Sequence, residues 1–125
     1  VKLTKQSEHF DHTRSRIMDI SHRWEELLDL PGIDVRHKFL DTVNDDDMET
    51  AADTETKWQY RWATIRWYVP ACSSQTDDQL EEAVVHEYAH VLMAALNGRI
   101  KAGSDDHVEH ATQSIARALL KAHGA

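Results

Sequence analysis

The sequence predicts one α+β domain over residues 1–125: a long N-terminal helix, a small antiparallel or mixed sheet, and two C-terminal helices. Three observations predict it. Apolar residues recur every seven positions near the start. Two segments rich in β-branched and aromatic residues fill the middle. Two amphipathic stretches with capping residues close the chain.

Residues 4–30 read as a helix. Leu3, Phe10, Ile17 and Trp24 recur in sevens, Ile20 and Leu27 follow Ile17 and Trp24 by three, and charged residues and His cover the rest. Pro31-Gly32 stops it. The stripe predicts a helix laid over the core. It is also compatible with a homodimer seam, although Thr13 interrupts it and a coiled coil normally needs three or four heptads. His9, His12 and His22 fall on the polar side.

Residues 33–43 read as a strand, with Ile33, Val35, Phe39 and Val43 on one face and Asp34, Arg36 and Lys38 on the other. His37 alternates onto the apolar face and is expected to be a satisfied, half-buried core histidine. Residues 44–57 are acidic and lack strong periodicity, so they read as an exposed loop with at most a short helical turn. The run Asp45, Asp46, Asp47 lacks the central glycine and spaced ligands of a calcium loop and reads as solvated.

Residues 58–69 are the strongest strand. Trp58, Tyr60 and Trp62 share one face and Ala63, Ile65, Trp67 and Val69 the other, which predicts cover on both sides over part of its length. Pro70 ends it. Thr76-Asp77-Asp78-Gln79 forms a capping box, and Leu80, Ala83, Val84, Val91 and Met93 or Ala94 follow at helical spacing up to Asn97-Gly98. Ser104-Asp105-Asp106 caps the last helix, with Val108, Ala111, Thr112, Ile115, Leu119 and Leu120 facing inward.

Composition narrows the function classes. A formal charge of −8 argues against a nucleic-acid groove as the main surface. No run of about 18 apolar residues spans a membrane, and no leader-like segment opens the sequence. The single cysteine, Cys72, rules out an internal disulfide framework and points to a reducing, cytoplasmic setting. It reads as a loop residue with no partner motif.

The chemistry concentrates in His86-Glu87-Tyr88-Ala89-His90. At about 100° per residue, His86 and His90 lie about 40° and one turn apart, and Glu87 falls within the same arc. Two imidazoles can then reach one metal ion, with Glu87 beside it as a base rather than a ligand. A catalytic zinc keeps three protein ligands and one open position. The helix runs about seven residues past His90, roughly 10 Å, before the segment from Gly98 to Gly103 can reverse the chain. Glu109 then returns near the level of His90 and is the favoured third ligand. His110 is the next candidate, with Asp105, Asp106 and His107 behind it.

His86-Glu87-x-x-His90 followed after eighteen residues by Glu109 resembles the gluzincins, zincin metallopeptidases whose third ligand is a glutamate. Glu109-His110-Ala111-Thr112, opening the helix that carries Ile115 to Leu120, also resembles small HExxH proteins of phages and prophages. The resemblance covers about residues 58 to 122. Metzincins do not fit, because Met93 and Leu96 stand where their glycine and third histidine would be. Thermolysin-like enzymes place an aspartate four residues after the glutamate ligand to brace a histidine; Gln113 stands there instead.

The resemblance implies a minimal zincin-like domain that binds zinc through His86, His90 and Glu109. Glu87 would be the general base, taking a proton from the zinc-activated water and passing it to the leaving amine. Residues 58–69 would resemble the edge strand that pairs with an extended peptide or protein substrate. A second electrophile would come from His110, His107, Tyr60 or Tyr68. The expected activity is zinc-dependent peptide hydrolysis in a bacterial or phage-infected cytoplasm, with no nucleic-acid or membrane partner. The alternatives are a zinc-binding, non-proteolytic interaction or regulatory protein on the same scaffold, and a hydrolase of non-peptide amides.

Overall fold

The computed structural model describes the backbone of residues 5–28, 33–99 and 105–123; the side chains of residues 5, 6, 58, 95–99 and 105–111 lie outside that description. Leu3, Pro31, Gly32 and Ser104 also lie outside it. The chain is α+β, as the sequence predicts. A helix α1 (Lys5–Leu28) is followed by strands β1 (Asp34–Leu40), β2 (Ala52–Lys57) and β3 (Trp62–Tyr68), a short α2 (Val69–Ser73), and two long helices, α3 (Asp77–Arg99) and α4 (Asp105–Ala122). No helix among the described residues is long and apolar enough to cross a membrane.

The sheet is mixed, in the order β1-β3-β2. β2 runs antiparallel to β3 and takes the reversal, so β1 and β3 run parallel. The expected loop over residues 44–57 is therefore corrected at its end. Ala52, Thr54 and Thr56 alternate with Asp53, Glu55 and Lys57, a small or β-branched face against a charged one. That pattern escapes an apolar test because an edge strand can stay polar. The 44–51 portion is irregular, and Asn44 Oδ1 accepts from the backbone N–H of Asp46 and Asp47 at 2.8 and 3.1 Å, a local Asx turn.

The expected strand over residues 58–69 is also corrected. Trp58–Tyr60 forms a 3-10 turn, and Arg61 takes a left-handed φ of 58° to complete the reversal between Lys57 and Trp62. β3 is the central strand, not an edge. Its Ala63, Ile65 and Trp67 are buried. The opposite face is covered by polar side chains of the sheet itself: Arg36 lies 5.4 Å over the Trp62 ring, and Tyr68 donates to Asp53 at 2.7 Å. Pro70 sits in the first turn of α2, where its missing N–H costs nothing.

One core joins all layers. Ile17, Ile20 and Trp24 of α1 meet Ile65 and Trp67 of β3, Leu80, Val84, Val85, Tyr88 and Ala89 of α3, and Ala116 of α4. The central part of the α1 stripe thus faces the core, while Leu27 is half exposed. Thr13, the interruption in that stripe, is buried. Burying each large apolar side chain contributes about 1.5–3 kcal/mol. Two further expectations are corrected. α3 runs through Asn97-Gly98 to Arg99. Cys72 lies in α2, not a loop, and is fully buried.

Candidate metal centre

The HExxH helix begins where the sequence places it. The Thr76 backbone N–H donates to Gln79 Oε1 at 2.9 Å, and the Gln79 N–H donates to Thr76 Oγ1 at 3.2 Å, a reciprocal capping box. Arg16 of α1 reaches Asp77 Oδ1 and the Gln75 carbonyl, each at 2.8 Å, tying α1 to the first turn. Beyond that turn, Leu80, Val84, Val85, Tyr88, Ala89 and Val91 are buried against the core. Ala83, His86, Glu87 and His90 are left as a stripe along the side of α3.

The His86 and His90 rings lie 4.8 Å apart between centroids at 82° to each other. Both are partly exposed, whereas Glu87 is buried at 5% exposure. The burial of Glu87 has a specific source, since Thr54 of β2 donates its hydroxyl to Glu87 Oε1 at 2.8 Å. A buried carboxylate without such a donor is costly. Thr54 is the residue that sequence reading missed; the Thr54-x-Thr56 alternation is the signal that could have found the strand carrying it.

His86 also lines a groove between α3 and α4, about 320 Å³ in volume, with Glu82, Gln113, Ala116, Arg117 and Leu120. Glu82 and His86 are one turn apart on α3, and Gln113 and Arg117 are one turn apart on α4. Gln113 thus shares the groove with His86. Glu109 precedes Gln113 by one turn of α4, as His90 follows His86 by one turn of α3. The side chains of Glu109, His110, His107, Asp105 and Asp106 lie outside the described residues. Among the described residues no three His, Cys, Asp or Glu side chains gather as a metal-binding group.

Of the two tyrosine candidates, Tyr60 is 76% exposed in the turn that lies against α3. Tyr68 points to the sheet face away from Thr54, its hydroxyl donating to Asp53. That hydrogen bond, with burial second, raises the Tyr68 pKa above the usual phenol range. His37 is the satisfied histidine the alternation predicts: Trp67, Glu25 and Tyr88 surround it. His9, His12 and His22 are exposed on α1. Burial pushes the Cys72 thiol up to about 12, and its Sγ lies 3.3 Å from the Ala51 carbonyl. A thiol so held is not a nucleophile at neutral pH.

Comparison with protein-family models, curated proteins and solved structures gives no match to this chain.

Proposed function

We propose that the chain is a zinc-dependent peptidase of minimal zincin-like design. One observation carries the reading: Glu87 is buried beneath a sheet edge on the same helical stripe as two perpendicular imidazoles 4.8 Å apart. A solvated helix face does not require that arrangement. The donor chemistry fits zinc, with two histidine nitrogens on α3 and a carboxylate from α4. His86, His90 and Glu109 would hold the ion. The groove supports Glu109, because it sets His86 beside Gln113 and so brings the preceding turn of α4 toward the level of His90.

Bound there, zinc would supply Lewis-acid polarisation of a carbonyl and lower the pKa of water. The protein's own groups do the rest. Glu87 takes the proton from the attacking water and delivers it to the departing amine nitrogen. β2 is an edge strand bonded only to β3 among the described strands, and it lies beside Glu87 through Thr54. It takes over the substrate-pairing role that the resemblance suggested for residues 58–69. An extended peptide adding to that edge would bring its backbone past the base. Tyr60 is the exposed phenol nearest in sequence to β2 and is available to a substrate carbonyl.

Metal content tests the reading first. Purified protein should hold about one zinc per chain, lost in His86→Ala and Glu109→Ala. Glu87→Gln should keep the metal and lose turnover of a peptide library by at least about a hundredfold. Metal-free protein of unchanged stability would overturn the zinc site. Bound zinc with no turnover of any peptide would favour the non-proteolytic zinc-binding reading.

A further inference from the structure

We propose that Thr54 is a positioning residue for Glu87, so that the edge strand offered to a substrate also aims the base. The inference rests on the peptidase reading above and goes beyond the HExxH residues to a side chain on the sheet.

A glutamate side chain has three rotatable bonds, whereas a general base must hold one oxygen within hydrogen-bond reach of its proton. Thr54 removes that freedom at the carboxylate end. Its hydroxyl donates to Oε1 at 2.8 Å, across 33 residues of sequence. Bonds from a hydroxyl to a charged carboxylate are stronger than neutral ones. With Oε1 engaged by Thr54, the carboxylate end of Glu87 is held at the sheet edge.

The donor is itself held. Thr54 is β-branched, so its χ1 is stiff. Its backbone is paired opposite Ile65 of the central strand, and Ile65 is fully buried. The same row of the sheet continues to His37 on β1, which Tyr88 contacts. Glu87 and Tyr88 therefore fix α3 to both edges of one row. Thr54 needs no contact with substrate in this arrangement; it acts through Glu87.

The test compares Thr54→Val, which keeps the branched shape, with Thr54→Ser, which keeps the hydroxyl. On zinc-loaded protein, Thr54→Val should lower kcat by about tenfold or more while KM stays within about twofold. Thr54→Ser should return kcat to within about threefold of wild type. Zinc content should be equal in all three.

A readout without metal or turnover accompanies it. In metal-free protein, the unfolding midpoints of Thr54→Val, Glu87→Ala and the double variant should be non-additive, with the double losing less than the sum. An active wild type with Thr54→Val at wild-type kcat, or Thr54→Ser as slow as Thr54→Val, overturns the positioning role alone. Additive midpoints overturn the contact. A wild type that cleaves no peptide overturns both this role and the peptidase reading.

Discussion

Glu87 and Tyr88, consecutive on α3, reach opposite edges of one row of the sheet: Glu87 to Thr54 on β2, Tyr88 to His37 on β1. The Tyr88 end is a part-buried polar cluster. Trp67 Nε1–H donates to His37 Nδ1 at 3.1 Å, so that nitrogen is the acceptor and the ring proton sits on Nε2, which faces Glu25 Oε1 at 3.1 Å. The Tyr88 hydroxyl donates to the same Glu25 oxygen. Burial, followed by the bond to Glu25, raises the Tyr88 pKa above the usual phenol range. The cluster ties α1, β1, β3 and α3 together behind Glu87.

Tyr88→Phe tests that cluster with little change of shape. The lost bond is to a charged carboxylate and is worth about 1.5–3 kcal/mol. Urea unfolding should report a loss in that range, with zinc content unchanged. A loss below about 0.5 kcal/mol would mean that Glu25 gains nothing from the hydroxyl.

The capping box makes a second prediction. Thr76→Ala removes the acceptor for the Gln79 N–H and should cost about 1 kcal/mol, while Thr76→Ser should cost little. Combining Thr76→Ala with Gln79→Ala should cost less than the sum of the two, because the bonds are reciprocal. A Thr76→Ala cost no larger than that of Thr76→Ser would contradict the cap.

Alkaline pH makes a third. The Cys72 thiol is raised from 9.0 to about 12 by burial, so between those values the unfolded chain has lost a proton that the native state keeps. The stability this contributes is fully present below about pH 9 and is lost as pH rises toward 12. The slope is about 1.4 kcal/mol per pH unit for the thiol alone. Tyr88, also raised, acts in the same direction. Unfolding midpoints should hold to about pH 9 and then fall, less steeply in Cys72→Ala. Native protein at pH 8 should leave the thiol unmodified by iodoacetamide, and urea should expose it.

Helix positions were legible in the sequence because burial imposes a period on them. Ile17, Ile20 and Trp24 mark α1, and Leu80, Val84 and Val91 mark α3; all six are buried. Thr76 and Gln79 marked the start of α3 because a cap needs those side-chain oxygens. β2 was not legible, since its Ala52, Thr54 and Thr56 face helix α3 without being strongly apolar. The central place of β3 was hidden for a different reason: an aromatic-rich strand reads alike at an edge or a centre until its neighbours are known. Within the candidate site, His86, Glu87 and His90 followed from helical spacing, whereas Thr54 depends on strand pairing that no local pattern contains.

The fourth prediction concerns what a bound metal does to the fold. A zinc ion held by His86 and His90 of α3 and Glu109 of α4 would bridge the two helices. A ligand that binds the native state alone stabilises it by RT ln(1 + [L]/Kd), about 4 kcal/mol at a thousandfold excess over Kd. For a domain of this size that is a rise in Tm on the order of 10 °C or more. Wild-type protein should therefore melt well above its EDTA-treated form. His86→Ala and His90→Ala should each lack the shift, and Glu109→Gln should lose most of it. His9→Ala and His12→Ala, exposed on α1, should keep it in full, which separates a built site from adventitious zinc on surface histidines. If Glu109→Gln retains the shift and His110→Ala loses it, the third ligand is one residue further along α4, and the pairing of Glu109 with the level of His90 fails.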